Sequence, residues 1–135
     1  MVSAKLLFID TTKPELVVAV ISGGEVVARA DGGQEIKRHS EIINAVAAPY
    51  IADADAFAVI TGMDGGSWTG SRVGVVAVKA WAYATAKPIV SIYDDGTHAD
   101  LIGAAWQMLQ KKQFTDAKTL APRYDAEFKI TPPRV

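Results

Sequence analysis

The sequence predicts one α/β lobe: a mixed five-stranded sheet with helices on both faces, in the order β-β-β-α-β-α-β-α. Three observations predict it. A continuous apolar run at 6–9 suits a strand buried on both faces, and the mostly apolar stretches 56–61 and 88–92 read as further strands. Two further apolar runs flank Ser22-Gly23-Gly24, the composition of a tight antiparallel hairpin. Segments with helical spacing or helical length alternate with the later runs.

In chain order, Leu6 to Ile9 is the first strand, closed by Asp10. Leu16 to Ile21 and Val26 to Ala30 are the second and third, turning on glycines that supply positive φ. Asp31-Gly32-Gly33 breaks the pattern, and Ile36, His39, Ile42, Ile43, Val46 and Tyr50 then recur at helical spacing, with Pro49 expected to limit the helix. Ala56 to Thr61 is the fourth strand. A glycine-rich loop, 62–70, leads into a helical segment from Ser71 to Thr85. Pro88 to Ile92 is the fifth strand. Asp94-Asp95-Gly96-Thr97 supplies turn and N-cap residues for a third helix, whose stripe is Leu101, Ile102, Ala105, Met108 and Leu109 and whose end is Lys111-Lys112. Residues 1–115 form the lobe. Residues 116–135, with Pro122, Pro132 and Pro133 and little periodicity, are expected as an extended tail that packs along the lobe or reaches a partner. A hairpin-linked antiparallel set followed by right-handed crossovers places helices on either face. That order is the ribonuclease H-like unit.

Composition narrows the chemistry. A chain of 135 residues, half of them hydrophobic, suffices for one core. The net charge of -1 leaves no basic surplus to track a nucleic-acid backbone, so any nucleic acid is expected to be held by something else. With no cysteine there is no disulfide, no thiolate nucleophile and no Cys-based zinc site, which suits a reducing compartment. The start, Met1-Val2-Ser3-Ala4-Lys5, runs straight into a short apolar stretch, too brief for a signal segment or a membrane span, and a cytoplasmic location without membrane attachment is expected.

The segment from Gly62 to Gly74 is the richest in information. Lying between a buried strand and a helix, it gathers backbone amides at the positive end of a helix dipole, a place suited to an anion or to close strand-to-helix packing. It is not a Walker A loop, because no lysine precedes the Ser/Thr, and its spacing is not that of a dinucleotide fingerprint. A glycine turn serving packing alone is the plainer alternative.

This stretch is similar to the Gly-x-Gly-Pro-Gly-Ser-Phe-Thr-Gly-Leu-Arg-x-Gly signature of the TsaB (YeaZ) family, within the actin-like ATPase group of ribonuclease H-like folds. The match falls at Gly62, Gly66, Ser67, Thr69, Gly70, Arg72 and Gly74, with Trp68 for the phenylalanine. Leu7-Phe8-Ile9-Asp10-Thr11-Thr12 resembles the family's first strand and Asp-Thr-Ser turn, Arg38-His39-Ser40-Glu41 its Arg-His-Ser-Glu, and Lys87-Pro88-Ile89-Val90-Ser91 the strand after helix two. Asp64 and Gly65 depart from the signature, and the link from Tyr50 to Ala56 is short. Ala121-Pro122-Arg123-Tyr124 resembles the family's Pro-x-Tyr element, as in short forms with one lobe.

The resemblance implies a non-catalytic subunit that pairs with a TsaD-type catalytic paralogue, alongside a TsaE-type ATPase, in tRNA threonylcarbamoyladenosine modification at position 37. Homodimerisation belongs to the same expectation, and tRNA is met only through the complex. It implies no cofactor held by this chain alone and ATP or ADP, if present, at the complex interface. The residues that would line such a site are Asp10, Thr11, Thr12, Gly62, Gly66, Ser67, Thr69, Gly70 and Arg72. Neither histidine has companions for a metal site: His98 reads as a solvated helix-start residue and His39 as a surface or interface residue. Helix two is apolar nearly all round, with Lys79 the only charge in its middle, so one face needs a cover beyond the sheet. Cover by the third helix or the tail is one possibility; a partner is the other. The resemblance favours the partner, and the expected contacts are His39, Ile43 and Ala47 on helix one with Val75, Val78, Lys79 and Ala82 on helix two.

Two rivals stand beside this. A divalent-metal nuclease needs converging carboxylates, and Asp10, Glu41, Asp64 and Asp100 are the inventory for one. A homodimeric module with a vestigial glycine loop is the other. A peptidase has little to build on, since Ser67 has no evident base and there is no thiol or paired zinc histidine.

Overall fold

A computed structural model describes residues 4–31, 35–66 and 68–123. Ser67 and the tail beyond Arg123, including Tyr124, Pro132 and Pro133, lie outside the described residues. The strands are β1 (Lys5–Asp10), β2 (Val17–Ser22), β3 (Glu25–Asp31), β4 (Ala56–Met63) and β5 (Ile89–Asp94), and the helices α1 (His39–Ile51), α2 (Trp68–Thr85) and α3 (Leu101–Gln110). The sheet order is β3-β2-β1-β4-β5. β2 is antiparallel to both β1 and β3, while β4 is parallel to β1 and to β5. This is the mixed α/β architecture that the order of apolar runs predicts.

The hairpin β2–β3 turns on Gly23 and Gly24, with φ of +62° and +82°. Two positive φ values in a two-residue loop match the twist of the flanking strands. The continuous apolar runs of β1 and β4 are explained by layers on both sides. Leu7, Ile9, Phe57 and Val59 point to one side, with Ile43 and Ala47 of α1 and Val75, Val78, Trp81 and Ala82 of α2. Leu6, Phe8, Ala58 and Ile60 point to the other, where Ala105 of α3 is fully buried. Phe57 and Trp81 meet as tilted rings at 5.9 Å.

Three boundaries differ from expectation, each for a physical reason. Pro49 does not end α1, which runs on to Ile51. Proline removes its own N–H and so leaves the Ala45 carbonyl without its i+4 donor; Ala45 and Pro49 are both exposed, where water can serve it. The new end is capped from afar by Lys87, whose Nζ donates to the carbonyls of Ile51 at 2.8 Å and Ala52 at 2.9 Å. α2 starts at Trp68, three residues before Ser71, so Thr69 and Gly70 are helical rather than loop. The N-cap of α3 is Asp100, whose carboxylate accepts from the Ile102 amide at 3.1 Å, while Asp95 and Thr97 form a separate turn before it.

The segment assigned to the tail from Asp116 is packed on the lobe as far as Arg123. Thr115 bridges Ile89 at the edge of the sheet, Leu120 is 2% exposed within the core, and the Arg123 amide donates to the Thr61 carbonyl at 2.9 Å.

Candidate functional site

β1, β4 and β5 are parallel, so their C-terminal ends lie at one edge, and the chain departs from β1 and β4 toward opposite sides of the sheet. Such an edge is where open α/β sheets place ligands. At the end of β1, Asp10 is 3% exposed. One of its oxygens accepts from the Thr12 amide at 2.9 Å and the Thr12 hydroxyl at 2.6 Å. The other pairs with Lys13 Nζ at 2.8 Å, and the same ammonium reaches Asp94, at the end of β5, at 3.2 Å. Partial burial disfavours the charged lysine, but the bonds and charges of Asp10 and Asp94 outweigh it and raise its pKa above the usual 10.5. Lys13 therefore ties two parallel strand ends together. The sequence reading passed over it, since its second partner is 81 residues away.

Thr11 is fully buried beside it. Its hydroxyl donates to the Gly70 carbonyl at 2.5 Å and accepts from the Gly74 amide at 2.9 Å. These are the carbonyl and amide that an ideal helix pairs, from i to i−4, so Thr11 is fastened to one turn of α2 through both of its groups. The close approach requires both glycines. A Cβ at Gly70 would stand 2.7 Å from the Thr11 carbonyl oxygen, and one at Gly74 2.8 Å from the Thr11 hydroxyl.

The expected cofactor-binding residues are thus divided. Asp10, Thr11, Thr12 and Gly70 are buried and engaged with one another or with neighbouring elements. Gly62 lies under the Arg123 backbone, and the Gly66 amide donates to the Met63 carbonyl at 2.9 Å in a turn. Thr69 and Arg72 face elsewhere, into the groove between α1 and α2. The acids are dispersed as well. Glu41 is exposed and pairs with Arg38 at 3.5 Å, Asp64 accepts from the Tyr93 hydroxyl at 2.6 Å, and Asp100 caps α3. Among the described residues no three His, Cys, Asp or Glu side chains gather as a metal-binding group. His98 is exposed; the Asp95 carboxylate near it sits below the usual range, held there chiefly by the bonds from Thr97.

The helix pair places most of the expected partner residues inside the lobe. His39, Ile43, Ala47, Val75, Val78 and Ala82 are buried within their own lobe, between 0% and 5% exposed, and Lys79 is half-buried. Val75, Val78 and Ala82 form the stripe that packs on the sheet, not the one that faces away. His39 instead donates from Nε2 to the Lys13 carbonyl at 2.8 Å, and its Nδ1 is buried with no hydrogen-bond partner. The outward stripe is Arg72, Val76, Ala80 and Tyr83, with Val76 61% and Tyr83 77% exposed. Between this stripe and Ser40 and Asn44 of α1 runs a groove of about 390 Å³, floored by Ile43, Val73 and Ala77. Asn44 is oriented from below: its Oδ1 accepts from Trp81 Nε1 at 3.0 Å, which turns its amide N–H groups away from the tryptophan. The i, i+4, i+8, i+11 spacing of Arg72, Val76, Ala80 and Tyr83 was the signal available in the sequence for this face.

No family model and no curated protein matches the chain. Solved structures do. One is the crystal structure of an uncharacterized protein with similarity to peptidase YeaZ from Pseudomonas aeruginosa, with a TM-score of 0.58, 21% identity, and coverage of 67% of this chain and 44% of that one. Another is YeaZ from Pseudomonas aeruginosa, with a TM-score of 0.55, 21% identity and the same coverage of each chain. The chain therefore spans less than half the length of these structures, and over two thirds of itself it shares the fold of that part of YeaZ.

Proposed function

We propose that the chain is a TsaB-like accessory subunit, which pairs through the outward face of α1 and α2 with a TsaD-type catalytic paralogue in tRNA threonylcarbamoyladenosine modification. One observation carries the reading: the groove between the two helices, lined on its rim by exposed Val76, with exposed Tyr83 farther along the same outward stripe of α2. An exposed aromatic and an exposed valine beside a mostly apolar groove are the ingredients of a helix-pair contact. Two helices of a partner laid across it would complete a four-helix layer, with Tyr83 as an anchor and the Asn44 amide as a fixed donor. The YeaZ-like fold and the signature from Gly62 to Gly74 support the same reading. In it the transfer chemistry, the tRNA and any ATP or ADP belong to the complex with the TsaD-type and TsaE-type proteins, and a homodimer would use the same face.

Co-purification with the TsaD-type enzyme of the same source tests it. The wild-type chain is expected to associate at micromolar concentration and to be required for modification, and Val76→Asp to lose both while remaining folded. A folded Val76→Asp chain that pairs as well as the wild type, or a wild-type chain that never associates, overturns the proposal.

A further inference from the structure

The last part of the described chain crosses the sheet as a strap. At the foot of β5 the Thr115 amide donates to the Ile89 carbonyl at 2.7 Å and its hydroxyl meets that of Ser91 at 2.6 Å. Leu120 then enters the core, in the cluster that includes Phe57, Trp81 and Ile89. Pro122 favours an extended Ala121 before it, and at Arg123 the backbone reaches the head of β4.

The head of β4 is shaped to receive it. Ile60 pairs with Ile92 and Gly62 with Tyr93, so Thr61 is the extra residue of a bulge; its hydroxyl donates to the Ile92 carbonyl at 3.2 Å, but its backbone has no register partner on β5. β1 pairs with β4 only as far as Val59. The Thr61 carbonyl is thereby left for the Arg123 amide, at 2.9 Å. Gly62 supplies the clearance: a Cβ there would overlap the Arg123 carbonyl oxygen. The guanidinium of Arg123 lies over the Tyr93 ring, 4.5 Å from its centre, and Tyr93 is fastened through its hydroxyl to Asp64 of the glycine loop. One backbone bond, one cleared glycine, one aromatic platform and one apolar hole thus match a segment of four residues.

We propose that this seat is a binding site for an extended peptide of the pattern Leu-x-Pro-Arg, filled here in cis by Leu120 to Arg123 and open to the same pattern on another protein chain when the strap lifts. The features are those of backbone-led peptide recognition: main-chain bonding fixes the register and side-chain pockets at each end select the sequence. The strap is suited to exchange. It follows α3, no strand of the five-stranded ladder is built from it, and Ala121 and Arg123 keep exposed surface. The inference is independent of the helix-pair face, because the seat lies at the strand ends and shares no residue with the groove.

The test uses the full chain with its strap weakened by Leu120→Ser and Arg123→Ala, and a fluorescent peptide Thr-Leu-Ala-Pro-Arg-Tyr, read by anisotropy. The weakened chain is expected to bind at least about tenfold more tightly than the wild type, whose own strap competes at a millimolar effective concentration. Alanine at the peptide's arginine should weaken binding, and Gly62→Ala added to the weakened chain should remove it. A folded weakened chain that takes no peptide, or takes it equally well with Gly62→Ala, overturns the proposal. Should the weakened chain fail to fold, amide exchange on the wild type decides. The Leu120 and Arg123 amides are expected to exchange by local opening, well ahead of those in β1 and β4. Exchange only with global unfolding overturns the proposal.

Discussion

The hydroxyl of Thr11, at the turn after β1, accepts a hydrogen bond from the Gly74 amide of α2 at 2.9 Å while donating to Gly70 one turn earlier at 2.5 Å. This contact explains why two glycines four residues apart open α2, where glycine is otherwise unfavourable. Thr11→Val should destabilise the lobe by about 1–2 kcal/mol, because the two hydrogen bonds of the buried hydroxyl are lost. Thr11→Ser should cost less. Gly74→Ala, which would put a methyl 2.8 Å from the hydroxyl, should cost less in a Thr11→Ala background than in the wild type. Urea unfolding of the four chains measures the coupling; additive costs would mean that the contact does not hold the helix.

Lys13 makes stability depend on alkaline pH. Its pKa is higher folded than unfolded, so its contribution is fully present below the unfolded value near 10.5 and is lost as pH rises through the raised folded value. Lys13→Met removes the counter-charge of buried Asp10 and should lower stability at pH 7 by about 1–2 kcal/mol, less than a fully buried charged hydrogen bond because the lysine side chain is 38% exposed and screened by water. The gap between wild type and variant should stay constant up to about pH 10 and narrow above it. Comparing the two chains cancels what all other groups contribute to both. A gap independent of pH between 9 and 11.5 would show that the ammonium is not the stabilising group.

The two faces of α2 predict opposite phenotypes for neighbouring valines. Val78 is fully buried, so Val78→Asp places a carboxylate in the core and should unfold the lobe, a loss of about 3 kcal/mol or more. Val76 is 61% exposed, so Val76→Asp should leave the melting temperature within about 2 °C, as for ordinary surface changes of 0.5 kcal/mol or less. Circular dichroism melts of both separate a folding defect from a pairing defect. A strong loss of stability in Val76→Asp would mean that this face is covered within the chain itself.

The same helix shows what the sequence could and could not convey. The strands were legible because burial on both faces leaves an uninterrupted apolar run, as in Leu6 to Ile9, and the hairpin because Gly23-Gly24 has few other uses. The identity of the buried face of α2 was not. From Val73 to Ala84 nearly every position is valine, alanine or aromatic, so the helical period carries almost no contrast and either stripe can be read as the inner one. His39 misled for another reason: its neighbours Arg38 and Glu41 are exposed, and only the fold brings its ring against the Lys13 carbonyl. The strap was read as a tail because proline removes periodicity without removing burial, and Leu120 has no helical or strand partner to mark it.

Lys87 yields the last prediction. In the sequence it belongs to the stretch that resembles the strand after helix two, yet its ammonium serves α1, bonding the carbonyls of Ile51 and Ala52. α1 needs such help at that end. Pro49 has already cost it one hydrogen bond, its last turn carries no basic residue of its own, and the short link leads directly into β4. The lysine stem also lies near Phe57, with Nζ 6.0 Å from the ring centre, which holds the charge in place over the core. Lys87→Met keeps the stem and removes the cap, and should cost about 1–2 kcal/mol, with faster amide exchange confined to 50–55. Lys87→Arg should recover part of the loss, since its fork can reach both carbonyls. Exchange unchanged at 50–55 in Lys87→Met would mean that α1 is held by the packing of its own Ile43 and Ala47 in the core alone, and that the ammonium merely rests on the helix end.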